Sequence, residues 1–176
     1  MLILKTQRLL LRRMNLDDGD FIFELLNGKK WKQFVGDRGI DTIESARAYL
    51  QKRVLPDYDA LGFGFYIIER RDDHTRVGNC GLTLRLGMEH PDIGYSLLER
   101  YEGKGYAFEA AEAILDYGFR VHNLKHIEAI VSGENQRSIH LLKKLGMHYK
   151  NQINLPDDGE ELMLFGINPP QKENPK

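Results

Sequence analysis

The sequence contains little cysteine and little proline. Cys80 is the single cysteine among 176 residues, which excludes an intramolecular disulfide and a zinc site built from several cysteines. The 6 prolines and 17 glycines do not fit a collagen-like or low-complexity chain. With 41% apolar residues, the composition is that of an ordinary globular protein with a real hydrophobic core.

Long apolar runs and a surplus of one charge are also missing. No apolar run approaches the roughly 18 residues that span a bilayer. The 25 basic and 26 acidic residues leave a net charge of -1, whereas strong sequence-independent nucleic-acid binding needs a basic surplus. Residues 1–13 carry basic side chains and no small-residue cleavage site, so we expect no signal peptide. We therefore expect a cytoplasmic protein that binds neither a membrane nor nucleic acid.

Hydrophobic periodicity divides the chain into strands and helices in a mixed order. Strands are predicted over 9–13, 63–69, 76–84, 92–98 and 126–132, with weaker candidates at Ile153 and over 161–167. Helices are predicted over 17–27, 104–120 and 135–145. A further helix starts at a capping box of Asp41 and Glu44 and ends at Pro56. This order predicts an α/β protein with a mixed sheet and helices on both faces.

We expect a single domain over residues 1–168. No internal repeat and no low-complexity linker divides the chain, and its length suits one domain. Residues 169–176 hold three of the 6 prolines, so we expect a disordered tail there.

The most informative segment, 93–107, runs from a strand through a glycine-containing turn into a helix. Gly103 and Gly105 lack a Cβ atom, so a ligand can approach the backbone N–H groups closely. The first turn of a helix adds unpaired N–H donors and partial positive charge, and Lys104 can add a full charge. Together these features are typical of a phosphate-binding loop. On the glycines alone, a plain strand-to-helix turn remains an alternative, and a nucleotide is an alternative ligand.

Four stretches, in order along the chain, resemble the GNAT superfamily of N-acetyltransferases, and most of all its RimJ/RimL-like branch. Gly-Lys-Gly-Tyr-Ala-x-Glu-Ala at 103–110 is similar to the acetyl-coenzyme A loop of that family. The other three are Thr-x-Arg-Leu-x-Leu-Arg at 6–12, Val-Gly-x-Cys-Gly-Leu at 77–82 and Asn-x-x-Ser-Ile-x-Leu-Leu-x-x-Leu-Gly-Met at 135–147. The resemblance spans about residues 6–167, and four ordered matches are more specific than any one of them.

The resemblance implies the GNAT-like acyl-coenzyme A N-acyltransferase fold. In that fold a mixed, mostly antiparallel sheet contains two parallel strands that splay apart. Acetyl-coenzyme A binds as co-substrate, with its pyrophosphate on the glycine loop and its pantetheine arm between the splayed strands. Carried onto this sequence, the cofactor-binding residues are Leu97, Leu98, Gly103, Lys104, Gly105, Tyr106, Ala107, Asn135 and Ser138. The backbone of Leu97 and Leu98 is expected to pair with pantetheine.

Two positions depart from the usual family pattern. Many members carry a proton-donating tyrosine where this sequence has Leu142, and in the branch resembled here a serine at Ser138 has that duty. Ser138 is therefore the candidate general acid, and packing against the cofactor is its alternative role. Glu102 begins the loop where the family usually has Gln, Arg or an aromatic residue. An acid beside a pyrophosphate is unfavourable, so we expect its side chain to turn away.

The general base has several candidates. Glu128, Asp92, Glu161 and His140 could each take the proton of the acceptor amine, and a water chain is a further possibility. Tyr95 is expected to be a core residue. Asn135 is expected to cap the helix that follows it, with or without a hydrogen bond to pantetheine.

Metal and thiol chemistry have little support in the sequence. His122 and His126 are four residues apart, but a change from helix to strand falls between them, so they do not share a helical face. We therefore expect no metal. Cys80 lies in a strand pattern, where a buried cysteine is usually inert.

The resemblance implies acetyl transfer from acetyl-coenzyme A to a primary amine, by direct attack in a ternary complex. The amine is a protein N-terminus or a small molecule, and the protein is a monomer or a homodimer. By resemblance, segments 16–56 and 155–164 shape the acceptor groove. The acidic run at 157–161 attracts a basic acceptor or is a solvated turn. The alternative function is that of a non-catalytic module that binds an acyl-coenzyme A.

Overall fold

A computed structural model describes residues 1–156 and 161–170, which form one sheet of 8 strands in the order β1-β2-β3-β4-β5-β6-β8-β7. The strands are β1 Leu2–Lys5, β2 Leu9–Arg13, β3 Phe65–Arg70, β4 Arg76–Thr83, β5 Asp92–Leu97, β6 Ile127–Val131, β7 His148–Asn154 and β8 Glu161–Ile167. Among these strands only β5 and β6 pair in parallel. The predicted mixed, mostly antiparallel α/β sheet is confirmed.

Helices cover both faces of the sheet, as the sequence predicts. They are α1 Gly19–Leu26, α2 Lys29–Phe34, α3 Ile43–Tyr49, α4 Leu55–Ala60, α5 Tyr106–Arg120 and α6 Gln136–Lys144. Successive side chains of a strand point to opposite faces of the sheet, so one strand contributes to the core on both faces. On β3, Tyr66 and Ile68 join the cluster that contains α5 and α6, whereas Ile67 joins the cluster that contains α1 and α3.

A glycine on α5 packs directly against the sheet. A Cβ atom at Gly118 would come within 2.9 Å of the side chains of Ile127 and Leu82. Ala110, Ala111, Ile114 and Leu115 form the rest of the buried stripe of α5. Small residues therefore bring the helix that follows the glycine loop directly onto the strands, which fixes the position of the loop.

The predicted start and end of the second helical segment are both wrong. The capping box consists of Thr42 and Ser45, one residue after the predicted pair, because Thr42 has the extended backbone that an N-cap requires. Pro56 does not end the segment. It lies in the first turn of α4, where proline's missing N–H is not needed for helical hydrogen bonds. A π-helical turn at Leu50–Val54 joins α3 to α4.

Several shorter elements differ from the prediction or were missed. Strand β1 and helix α2 have no counterpart in the predicted elements, and the weak candidate at Ile153 is a full strand, β7. Helix α5 begins at Tyr106 rather than at Lys104. Residues 171–176 of the predicted tail and 157–160 of the acidic run lie outside the described residues. In the described part of the chain, no helix is long and apolar enough to cross a membrane.

Candidate active site between the splayed strands

The parallel strands β5 and β6 separate soon after they meet. In the described residues their register contains one pair, Asp92 opposite Glu128, and the N–H of Glu128 donates to the carbonyl of Pro91 at 2.9 Å. Beyond that point an open cleft of about 130 Å³ lies between the strands. Gly94 and Tyr95 line one wall of the cleft, and the residues on the other wall are Ala129, Ile130, Val131, Ser132, Asn135, Ser138 and Leu142.

Backbone groups on the open edge of β5 face this cleft. The N–H of Leu98 donates to the carbonyl of Val77 at 2.9 Å, and the carbonyl of Leu98 accepts the N–H of Tyr101 at 2.8 Å. Successive peptide groups of a strand point to opposite neighbours, so those of Leu97 and Tyr95 point away from β4 and toward β6. The free edge therefore runs through Tyr95 and Leu97, and Leu98, which was expected to contribute, is held by β4 and the following turn.

The glycine loop ends β5 and opens α5. Gly103 and Gly105 have φ values of +72° and +80°, in the left-handed region that favours glycine. Gly105 is the N-cap of α5, and no side chain caps the helix. A Cβ atom at Gly103 would meet nothing within 4 Å, so the loop is open on that side. Uncapped N–H groups at a helix N-terminus form an anion site.

Residues of the N-terminal segment hold the loop in place. The Nη1 of Arg8 donates to the carbonyl of Lys104 at 2.9 Å, and its Nε donates to Oε2 of Glu109 at 2.6 Å. The hydroxyl of Thr6 donates to the other oxygen of Glu109 at 2.6 Å. The guanidinium of Arg8 also lies 4.9 Å from the ring centre of Tyr106. The matching stretch at 6–12 therefore supports the loop although it lies far from it in sequence.

The side chain of Glu102 is held by residues outside the loop. Its carboxylate accepts hydrogen bonds from Lys30 on α2 and from Nη1 of Arg137 on α6, the latter at 2.7 Å. The exposed fraction of the Arg137 side chain is 76%, so this cation remains largely open to solvent while it pairs with Glu102. Glu102 therefore connects α2 and α6, two helices that line the cleft, and pairs with one cation on each.

Ser138 and Tyr95 meet across the cleft. The carboxamide oxygen of Asn135 accepts the N–H of Ser138 at 3.1 Å, so Asn135 is the N-cap of α6. The hydroxyl oxygens of Ser138 and Tyr95 are 2.8 Å apart. Burial raises the pKa of Tyr95 to about 12, although the Ser138 hydrogen bond opposes the rise. Tyr95 therefore stays protonated near neutral pH and can donate to Ser138.

The candidate bases are placed very differently. Asp92 and Glu128 are buried at the closed end of the cleft, where Arg85 lies 3.0 Å from Asp92 and Lys150 lies 2.7 Å from Glu128. Of the four candidates, only Asp92 lines the cleft. His140 on α6 and Glu161 on β8 are exposed.

His122, His126 and Cys80 have structural surroundings. His122 packs edge-on against Phe63 and Tyr117, and Nδ1 of His126 lies 2.6 Å from the carboxamide oxygen of Asn168. Within the described ranges, no three His, Cys, Asp or Glu side chains come together as a metal-ligand set. Complete burial raises the pKa of the Cys80 thiol far above its usual range, so it is not a ready nucleophile.

Comparison with known proteins decides the family. The acetyltransferase (GNAT) domain family matches residues 8–148. The chain belongs to the GNAT acetyltransferase family. N-acetyltransferase p20 of Bacillus licheniformis is 33% identical over 144 residues, which cover 81% of this chain and 80% of that protein.

Solved structures agree with this assignment. A GNAT-family acetyltransferase from Bacillus anthracis is 26% identical, has a TM-score of 0.78, and matches over 96% of this chain and 98% of that one. The ribosomal-protein acetyltransferase RimL, solved with coenzyme A, shares the fold at a TM-score of 0.81 and 16% identity, over 96% of this chain and 98% of that one. The protein is thus a GNAT N-acetyltransferase that uses an acyl-coenzyme A, and it shares its fold with RimL.

In this GNAT acetyltransferase, sequence patterns locate the loop and α6 but miss other parts of the cleft. Trp31, Phe65 and Asn79 line it, and none of them is a predicted site residue. Asn79 carried a usable signal, since it is a polar residue within the apolar strand run 77–82. Tyr95 gave none, because only folding brings its hydroxyl to Ser138.

Proposed function

We propose that this GNAT acetyltransferase transfers acetyl from acetyl-coenzyme A directly to a primary amine while both substrates are bound. The amine belongs to a protein N-terminus or to a small molecule. One observation carries the proposal: β5 and the Ser138–Tyr95 hydroxyl pair line one cleft, and the same strand leads through the uncapped glycine loop into α5.

The loop suits the pyrophosphate of coenzyme A. The backbone N–H groups of Gly103, Lys104, Gly105, Tyr106 and Ala107 are the proposed donors, because the loop is open and no side chain caps the helix. Lys104 adds charge. Arg137 can exchange Glu102 for a phosphate, since much of its side chain is exposed.

The backbone of Tyr95 and Leu97 is proposed to pair with the amides of the pantetheine arm. The arm would take the place that β6 would occupy if the two strands stayed paired. Asn135 lies on the opposite wall of the cleft. Its carboxamide oxygen is used by Ser138, and its amide N–H groups remain available to a ligand. This pairing would align the thioester with the closed end of the cleft, and positioning of this kind supplies a large part of many rate enhancements.

Ser138 is the proposed donor to the departing sulfur. When Tyr95 donates to the oxygen of Ser138, the Ser138 hydroxyl proton is free to point into the cleft. A donor aimed at developing negative charge stabilises the transition state. Leu142, at the usual tyrosine position of the family, has no hydroxyl. Tyr95 therefore takes a supporting role by donating to Ser138.

Asp92 is the proposed acceptor of the amine proton, directly or through water. It is the candidate base that lines the cleft, and Arg85 holds its carboxylate in place. Cys80 takes no part, because its thiol is buried and its pKa is raised by that burial. The acetyl group therefore passes to the amine without a covalent enzyme intermediate.

The test is thiol release from acetyl-coenzyme A with a panel of primary amines, varying both substrates. Intersecting initial-rate lines are expected, and Cys80→Ala should keep the same pattern. Parallel lines would indicate a covalent acetyl-enzyme and contradict direct attack. Tight coenzyme A binding without turnover on any amine would favour a non-catalytic acyl-coenzyme A module instead.

A further inference from the structure

One phenylalanine reaches across two strands of the sheet to the cleft. Phe65 on β3 pairs with Gly81 on β4, and Gly81 pairs with Gly94 on β5, so the three residues form one row across the sheet. Residues paired in this way point to the same face of a sheet. Neither glycine has a side chain on that face, so the space above β4 and β5 is left to the side chain of Phe65.

The two glycines allow a very close approach. A Cβ atom on Gly94 would lie 2.7 Å from Cζ of the Phe65 ring, and a Cβ atom on Gly81 would lie 2.5 Å from the Cα atom of Phe65. Glycine within a strand often marks such a place, where a neighbour packs directly on the backbone. The ring of Phe65 therefore lies on the backbone of Gly94, at the wall of the cleft.

Hydrogen bonds to the backbone hold Phe65 in this position. The carbonyl of Phe65 accepts the hydroxyl of Tyr58, and the same hydroxyl accepts the N–H of Met14 at 3.0 Å. Tyr58 is buried, and its ring lies so close to Gly64 that a Cβ atom there would come within 2.7 Å of it. Burial raises the pKa of Tyr58 to about 12, so its hydroxyl keeps the proton for this bridge near neutral pH.

The row of residues leads into the opening between the parallel strands. Two residues beyond the pair Asp92 and Glu128, the same register would set Gly94 opposite Ile130, but the strands have separated there. Phe65, Gly94 and Ile130 all line the cleft. The ring of Phe65 therefore forms a wall of the cleft on one face of the sheet, close to the point where β5 and β6 separate.

The proposed path of the cofactor ends beside this ring. A pantetheine arm that pairs with Leu97 and then with Tyr95 runs toward the closed end of the cleft, and the next residue on that strand is Gly94. The thioester then lies beside Gly94, with its acyl group between the ring of Phe65 and the closed end. An acetyl group places a single methyl carbon there. A longer chain would have to displace a ring that is packed on the strand, and close-packed interiors accept such insertions poorly.

We propose that Phe65 limits the acyl group of the donor to acetyl, which makes it a specificity-determining residue for the thioester. The inference rests on the proposed function, because it uses the proposed path of pantetheine. Gly81 and Gly94 contribute by letting the ring reach the cleft. One methylene in an apolar pocket changes kcat/KM by about 10- to 200-fold, so a wall of this kind is enough to select between acetyl and a longer acyl group.

The kinetic test compares acetyl-coenzyme A with butyryl-coenzyme A as donors to the same amine, by thiol release. We expect the wild-type protein to prefer the acetyl donor in kcat/KM, and Phe65→Ala to lower that preference by about tenfold or more. Changes in amine binding cancel, because both donors react with the same amine. Phe65→Leu keeps an apolar side chain and should lower the preference less, and it continues the test if Phe65→Ala does not fold.

Phe34→Ala is the matched control. Phe34 is another phenylalanine that lines the cleft, but it lies on α2, outside the row of Phe65, Gly81 and Gly94. Its removal should leave the donor preference unchanged. The inference is overturned if the wild-type protein uses both donors equally well, or if the Phe65 variants lose rate on both donors in proportion. An equal fall in preference in Phe34→Ala also overturns it, since general widening of the cleft would then be the cause.

A binding test without an amine separates this inference from the proposed function. By calorimetry, we expect the wild-type protein to bind butyryl-coenzyme A more weakly than acetyl-coenzyme A, and Phe65→Ala to narrow the difference. Coenzyme A itself carries no acyl group and should bind both proteins alike. This pattern supports the inference even if no amine is acetylated and the proposed function fails. A difference that Phe65→Ala leaves unchanged contradicts the inference, while acetyl transfer to an amine stands.

Discussion

The two sides of the cleft are built in different ways. The cofactor side consists of the glycine loop, the start of α5 and the start of α6, and its proposed ligand groups are mainly backbone N–H donors. The acceptor side consists of α1, α2, α3, the π-helical turn and the facing residues of β3 and β4, and side chains such as those of Trp31 and Asn79 line it. Backbone donors suit a co-substrate whose shape is always the same. The side chains that contact the acceptor can differ between enzymes that use different acceptors.

The two sides also place different demands on the sequence. Left-handed glycines and helix N-caps have local sequence requirements. The acceptor side depends on which side chains pack together, and it can change without loss of the fold. Variants that affect one side and spare the other test this division.

The largest effect is expected for Ser138→Ala. Removing the donor to the departing sulfur should lower kcat by about 100-fold, as for other single donors to developing charge. The affinity for coenzyme A should stay nearly constant, because the loop is intact. Steady-state thiol release and a binding titration measure the two quantities. Ser138→Thr keeps a hydroxyl and should recover part of the rate, and full activity in Ser138→Ala would leave Ser138 with a packing role only.

Gly105→Ala tests whether the loop backbone carries cofactor affinity. An alanine at φ +80° costs about 1–2 kcal/mol. Its Cβ atom would also lie 3.2 Å from Nη2 of Arg8. We expect coenzyme A binding to weaken about tenfold, measured by calorimetry. Gly36→Ala is the matched control, since Gly36 has φ +95° and open space around it. Equal losses of affinity in both variants would show that general strain, not the loop, is responsible.

Tyr95→Phe should lower kcat by about fivefold, the effect of one neutral hydrogen bond. Because the pKa of Tyr95 is raised to about 12, its phenol is protonated at neutral pH, and the ratio of the two rates should not change with pH there. In the Ser138→Ala background the same substitution should have no further effect, since Tyr95 acts through Ser138. Tyr149→Phe, on the exposed face of β7, serves as control. Additive losses in the double variant would show that Tyr95 acts independently of Ser138.

The smallest effect is expected for Glu102→Gln. Removing this carboxylate frees Lys30 and Arg137 and takes a negative charge from the loop, so coenzyme A should bind about threefold more tightly at low salt. The gain should shrink as salt screens the charges. Glu44→Gln, an exposed acid on α3, should leave the affinity unchanged. Weaker binding in Glu102→Gln would mean that Glu102 positions the loop rather than restraining the cations.

Sequence patterns predicted the sheet class, the glycine loop and the capped helix α6 well, because each depends on nearby residues. Periodicity identifies the buried face of α5, and glycine followed by a helical pattern identifies the loop. The boundary at Pro56 was predicted wrongly, since proline is equally suited to a first helical turn. Helix α2 was missed because none of its residues is fully buried, so it has no clear apolar face.

The amino-acid sequence by itself determined the glycine loop before α5, the Asn135 cap of α6 and the mixed class of the sheet. These features follow from backbone conformation, which neighbouring residues control. Only the tertiary structure decided which edge atoms of β5 are free, that Tyr95 reaches Ser138, and that Trp31 and Asn79 line one cleft. Those contacts join residues far apart in the chain, and packing of helices on both faces of the sheet brings them together.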